Sequence, residues 1–202
     1  MLFGKRDFTN ESIFNLIIRI ERSVLVRLRG SIIALFGTFA RGSSIFITFG
    51  SNPRFMNSKW IKIEKNAGFG YLCRIECFES PILESNNSSP KICIGENTSF
   101  GDFVHIGAIN GVFIGKNVLG ASKILIIDHD HGKAGKHLES YANVPPTKRD
   151  LISKGKIIIE DNVWIGESAV ILAGSFIGKG SIIAANSLVK GIVPPFTVYL
   201  NK

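Results

Sequence analysis

Histidine is the side chain best suited to take up and return a proton near neutral pH, because its unperturbed pKa is about 6.5. This 202-residue chain has four: His105, His129, His131 and His137. Three of them fall between Asp128 and Gly155. Ile127–Gly132 reads Ile-Asp-His-Asp-His-Gly, which sets Asp128 and Asp130 beside the imidazoles. A carboxylate can orient an imidazole and stabilise its charged form, so the pattern suits general-base chemistry. Either aspartate is available for that role. A merely solvated loop rich in His and Asp would have the same composition. Cys73, Cys77 and Cys93 are too few for a disulfide framework, and a reducing cytoplasm follows as the expectation. Cys73 and Cys77 lack the second pair that a four-ligand zinc site needs. No metal is expected, and all three thiols read as small core residues.

The elements that must carry these histidines are set by an internal repeat. From Lys156 onward, Ile159, Ile165, Ile171, Ile177, Ile183 and Val189 recur every sixth residue. With 45% hydrophobic residues, six apolar hits in one register arise by chance on the order of once in a hundred. Four residues after each of the first five come Val163, Ala169, Ser175, Ser181 and Ser187, all small. The period recurs upstream in other phases: Ile63, Phe69 and Ile75; Ile94, Phe100 and Ile106; and, more weakly, Ile114, Gly120 and Ile126. Phase breaks fall near Glu79–Lys91, near Ala108–Val112 and across Asp128–Gly155. A period of six fits neither an alternating strand nor a helix. It fits a coil of triangular cross-section, with each aliphatic pointing inward from a flat face and Gly or Asn near the corners. Each coil buries its core against its neighbours. A long insertion in such a solenoid is where function tends to lie. His105, in the stretch Phe103–Gly107, takes an outward position beside the inserted loop, suited to lining an acceptor pocket.

Upstream, Thr9 or Asn10 can cap a helix whose apolar positions are Ile13, Leu16, Ile17, Ile20, Val24 and Leu28, with Gly30 as its stop. Its arginines make it basic and amphipathic, a form that packs on its own domain or lies on an anionic membrane surface. The charges argue against a membrane span, and no cleavable signal peptide is expected. The organisation expected is a helical segment over 1–40, then a repeat domain over 41–202 with a loop extruded at 128–155. The net charge of +8 allows an anionic partner, but no dense basic cluster interleaved with aromatics appears, so nucleic acid is not favoured.

Over roughly Ile63 to Pro195 the hexads resemble the hexapeptide-repeat acyltransferase family. The most specific stretches are Ile114–Leu119, Ile127–Gly132, Ile159–Gly166, Ala185–Lys190 and Val193–Pro195. Together they resemble the sugar and polysaccharide O-acetyltransferase branch. The resemblance implies an all-β, left-handed parallel β-helix, acetyl-CoA as acetyl donor, a sugar or polysaccharide acceptor, and a cytoplasmic homotrimer with sites between neighbouring prisms. It implies a catalytic histidine: an ungapped count from Ile114 falls on His131, and a two-residue shift falls on His129. It implies coenzyme A contacts at the main chain of Trp164, Gly166, Ala184 and Ala185; Lys190, Lys179 and Lys154 are point charges suited to its phosphates or to an ordinary surface. His105, Asp128 and Asp130 are the candidate acceptor residues. The chain departs from the family pattern after Pro195, where it runs to Lys202 without a Gly-rich, Pro-Ala segment.

Other classes use the same scaffold. An amine acceptor, on an amino sugar, sugar nucleotide or antibiotic, needs the same base and groove. A zinc enzyme of the carbonic anhydrase type would hold metal through histidines on successive coils, whereas His129 and His131 share one loop. A non-catalytic solenoid would have no use for that loop or for Trp164.

Overall fold

The computed structural model describes residues 48–50, 52–79, 89–132 and 143–200. The expected N-terminal helix and His137 lie outside the described residues.

Three parallel sheets form the walls of the left-handed β-helix that the resemblance implies. The first face runs from Thr48–Phe49 to Val198–Tyr199 in seven strands. The second runs from Arg54–Met56 to Leu188–Val189 in six, and the third from Ile61–Ile63 to Ile192–Val193 in six. The hexads set the register. Ile159 stands beside Ile177, Ile165 beside Ile183, and Ile171 beside Val189. All six are buried, and so are the small residues Val163, Ala169, Ser175, Ser181 and Ser187. Two of those serines are satisfied inside the coil: Ser175 Oγ donates to the Val189 carbonyl and Ser181 Oγ to the Pro194 carbonyl. An inward hydroxyl therefore costs little here.

The upstream sets, out of phase in sequence, fall on the same interior columns. Ile63, Ile94, Ile114 and Ile159 align on the third face, and Ile75, Ile106, Ile126 and Ile171 on the second. Gly120 weakens the third set for a packing reason. Its inward slot is filled from the neighbouring coil by Phe100, whose ring stacks on Phe69 at 5.7 Å, as Phe69 does on Phe49 at 5.1 Å. A β-carbon on Gly120 would lie 2.2 Å from the Phe100 ring.

The corner between third and first faces is regular. Asn66, Asn97, Asn117 and Asn162 all have φ between 55° and 60°, the left-handed region that asparagine tolerates best after glycine. Their side chains form a ladder, each Nδ2 donating to the next Oδ1 at 3.1, 3.3 and 3.3 Å. The corner between second and third faces is different. Strands of the second face end at Cys77, Ala108 and Ile127, and those of the third resume at Ile92, Val112 and Ile157. All three phase breaks lie at this one corner. The longest of them starts as a hairpin, Asp130–His131 pairing antiparallel with Leu151–Ile152.

Cys73 and Cys77 are buried core residues, as expected. Cys93 corrects that reading: it sits between buried Ile92 and Ile94, so its side chain faces outward and is half-buried.

Candidate functional site

The strand Leu125–Ile127 delivers Asp128 to the irregular corner, where the coil below makes a short extra turn at Ile109–Gly111. The Asp128 carboxylate is wholly buried and caps that turn. Its Oδ1 accepts the Ile109 N–H at 2.9 Å; its Oδ2 accepts those of Asn110 at 2.8 Å and Gly111 at 2.6 Å. Charge-assisted bonds to three backbone donors hold a carboxylate in one orientation. Oδ1 also lies 3.0 Å from Nδ1 of His129, whose side chain is 8% exposed. A carboxylate only accepts, so Nδ1 carries the proton and Nε2 keeps its lone pair. The edge of Phe78 packs on the imidazole, with centroids 5.2 Å apart. A buried base, oriented by a buried acid and backed by an aromatic ring, has the anatomy of a general base.

His105 faces His129 across Gly107. A β-carbon on Gly107 would lie 3.3 Å from His129 Cε1 and 3.6 Å from His105 Nε2. Both nitrogens of His105 are engaged. Nδ1 lies 2.7 Å from an Arg74 guanidinium nitrogen and Nε2 lies 3.0 Å from Glu76 Oε2. Arginine only donates, so Nδ1 accepts and Nε2–H donates to Glu76. Burial lowers the His105 pKa, and the Arg74 charge lowers it further against the opposing pull of Glu76. The imidazole is thus kept neutral. Glu76 is itself buried and pairs through Oε1 with Arg54 Nε at 2.9 Å. Arg74, Glu76, Phe78 and Gly107 were not singled out from the sequence. Aligning Ile75 with Ile106 in the hexads would have placed Arg74 beside His105 and Glu76 beside Gly107.

The remaining candidates fall elsewhere. His131 and Asp130 are exposed on the hairpin, where Lys154 Nζ lies 3.5 Å from Asp130 Oδ2. Asp128 is a support for His129, walled off from solvent. Burial pushes the thiols of Cys73 and Cys93 up, which makes neither a ready nucleophile. Among the described residues, no three of His, Cys, Asp and Glu converge as metal ligands.

Residues 156–191 match the family described as bacterial transferase hexapeptide (six repeats). Over 109 residues the chain is 42% identical to a putative lipopolysaccharide biosynthesis O-acetyl transferase, WbbJ, of Escherichia coli, covering 53% of this chain and 55% of that one. Residues 156–191 are therefore similar to the repeats of that family. The chain is also 32% identical over 114 residues to a galactoside O-acetyltransferase of Lactococcus lactis, covering 50% of this chain and 55% of that one. It spans about half the length of these curated relatives. A variant of AntD, an N-acyltransferase from Bacillus cereus solved with dTDP and coenzyme A, shares the fold. The TM-score is 0.56 at 17% identity, covering 74% of this chain and 73% of that one.

On this repeat scaffold Trp164 stands on the outer side of the first face, 51% exposed, in register with exposed Leu119. The amide N–H groups of Trp164, Gly166 and Ala184 donate to the carbonyls of Ser181, Ile183 and Tyr199. Those donors stitch coil to coil, so ring surface is what Trp164 chiefly offers a ligand. Gly166 is required by close stacking, because a β-carbon there would lie 2.4 Å from the Ala185 nitrogen. Ala185, Lys179 and Lys190 are exposed. The first face and the irregular corner are therefore separate regions of the prism surface.

Proposed function

We propose that this protein is an acetyl-CoA-dependent O-acetyltransferase acting on a sugar hydroxyl, in the assembly of a bacterial surface polysaccharide. The observation that carries the reading is the buried Asp128–His129 dyad at the corner where every repeat break gathers. An alcohol is a weak nucleophile at neutral pH, and removal of its proton as it attacks is the chief need of the reaction. His129 Nε2 takes the acceptor hydroxyl proton while the oxygen bonds to the thioester carbonyl carbon. Asp128 holds the imidazole and stabilises its charged form. As the carbon–sulfur bond breaks, the imidazolium returns the proton to the departing thiolate, giving an acetyl ester and free coenzyme A thiol. The sugar acceptor and the polysaccharide role are supported by the likeness to the O-acetyl transferases above.

Trp164 and Leu119 fit the donor: they present apolar surface to a pantetheine arm, with Lys179 and Lys190 exposed on the same C-terminal coils. Because first face and irregular corner are separate, we place the complete site between copies of the chain, in a homotrimer. Exposed Leu119, Ile158, Ile192 and Val198 are apolar surface suited to such contacts. Among the described residues, no helix is long and apolar enough to cross a membrane. We place the enzyme in the cytoplasm, at the inner face of the membrane.

The test is release of free thiol from acetyl-CoA with a panel of sugars and amino sugars, with the product identified by mass. Acceptor-dependent thiol release with an alkali-labile ester is expected. An amide product would move the acceptor to an amine. Failure both to release thiol and to bind acetyl-CoA would overturn the reading.

A further inference from the structure

Four side chains form one line of polar contacts across the second face: Arg54 is ion-paired with Glu76, Glu76 accepts from His105, and His105 accepts from Arg74. Its members occupy outward slots on three adjacent strands, Arg54 beside Arg74 and Arg74 beside His105. Glu76 is buried; its Oε2 accepts from His105 Nε2, and its Oε1 lies 2.9 Å from Arg54 Nε as an ion pair without a hydrogen bond. Among the described residues Arg74 has no carboxylate within ion-pair distance; its partner is the neutral His105 imidazole. An arginine has five N–H donors in a rigid fork, and one contact to an imidazole leaves most of that fork available. The positive charge at Arg74 is thus exposed, without an ion-pair partner among the described residues, and held by the His105 ring. It is held on the same side of the prism as the base, because His105 and His129 flank Gly107, which puts no side chain between them.

An exposed arginine ordinarily sweeps solvent, and ordering it costs side-chain entropy. Here the line fixes Arg74 before any ligand arrives, which favours two-point recognition of a planar or tetrahedral anion. We propose that Arg74 reads an anionic group, a phosphate or carboxylate, on the acceptor sugar, while His129 takes the proton from a hydroxyl of the same sugar. Arg54, Glu76 and His105 are positioning residues that hold the guanidinium. The proposal rests on the acyl-transfer reading of the Asp128–His129 dyad, and adds that the acceptor is a glycosyl phosphate or a uronic acid. The net charge of +8 on the chain would draw such an acceptor to the site.

The test compares glucose 1-phosphate, glucuronic acid and methyl glucoside as probes of wild type, Arg74→Gln and Arg74→Lys. Binding is followed by the His105 ring-proton resonances and turnover by thiol release. The wild type is expected to favour one anionic probe over methyl glucoside by about tenfold or more, in binding and in kcat/KM. Which probe is favoured assigns phosphate or carboxylate. Arg74→Gln should collapse the ratio toward one. Arg74→Lys should keep part of it, since the charge remains and the fork is lost. A wild type without preference, or a preference that survives in Arg74→Gln, overturns the proposal. If no acceptor supports thiol release while the binding preference is present and falls in Arg74→Gln, the acyl-transfer reading fails and the anion site stands.

Discussion

The coils from Lys156 to Val193 and the corner that carries Asp128 and His129 are built on opposite rules. In the coils the interior columns are near-interchangeable aliphatics, each buried by the coil above and below. Stability in such a solenoid is a sum over neighbours, and each position contributes by volume. At the corner every group has specific partners and one orientation: three N–H groups on Asp128, Asp128 on His129, Glu76 on His105, His105 on Arg74. A change in the coils should therefore cost stability and spare the chemistry per folded molecule. A change at the corner should do the reverse.

Asp128→Asn should break that contrast most severely. The amide has one acceptor oxygen in place of two, and its NH2 would face either backbone N–H donors or His129 Nδ1–H. Loss of the oriented base should cut kcat by about 10² or more, read from thiol release. The unsatisfied donors should also cost about 1–3 kcal/mol in denaturant unfolding. Ile171→Ala tests the other side. A fully buried isoleucine between two coils should cost about 2–5 kcal/mol, with kcat per folded molecule held within a few-fold. Gly107→Ala sharpens the line between the regions. Its methyl would sit 3.3 Å from His129 Cε1, so the ring must give by a few tenths of an ångström. A loss of about tenfold in kcat with an unfolding midpoint near wild type is the expected outcome.

The smallest effect is on stability against pH. The folded-state pKa of His105 is lowered, chiefly by burial. Below the unfolded value, near about 6.5, the unfolded chain binds a proton that the folded chain does not. The His105 contribution to stability is therefore fully present above that pH. It is lost as pH falls from there toward the lowered folded value. His105→Gln should flatten this part of the profile, measured as unfolding midpoints between about pH 7 and pH 5. An unchanged slope would remove His105 as its source.

How much of this was legible in the sequence follows the same division. The coils were readable because one rule, an aliphatic every sixth residue, sets both register and burial; Ile159 to Val189 fell on the interior as the spacing implies. Gly120 looked like a flaw because the residue that fills its slot, Phe100, belongs to another coil. The corner was legible as a place, through the phase breaks, and as a composition, through Asp128–His131. Its wiring was not, because it depends on contacts between coils: Asp128 is fixed by backbone N–H groups some twenty residues earlier, which spacing within the loop does not reveal. For the same reason an ungapped count favoured His131. The strand ending at Ile127 turns into the corner at Asp128, so His129 is the histidine drawn under cover, and His131 goes out along the hairpin.

The central claim is that His129 is the base, and it is tested most directly by His129→Ala and His131→Ala compared side by side. Both are assayed for thiol release from acetyl-CoA with the acceptor the wild type uses best, after matching their unfolding midpoints. The account predicts a fall of about 10² or more in kcat for His129→Ala and a change within a few-fold for His131→Ala. The reverse order, with His131→Ala inactive and His129→Ala near wild type, would contradict it.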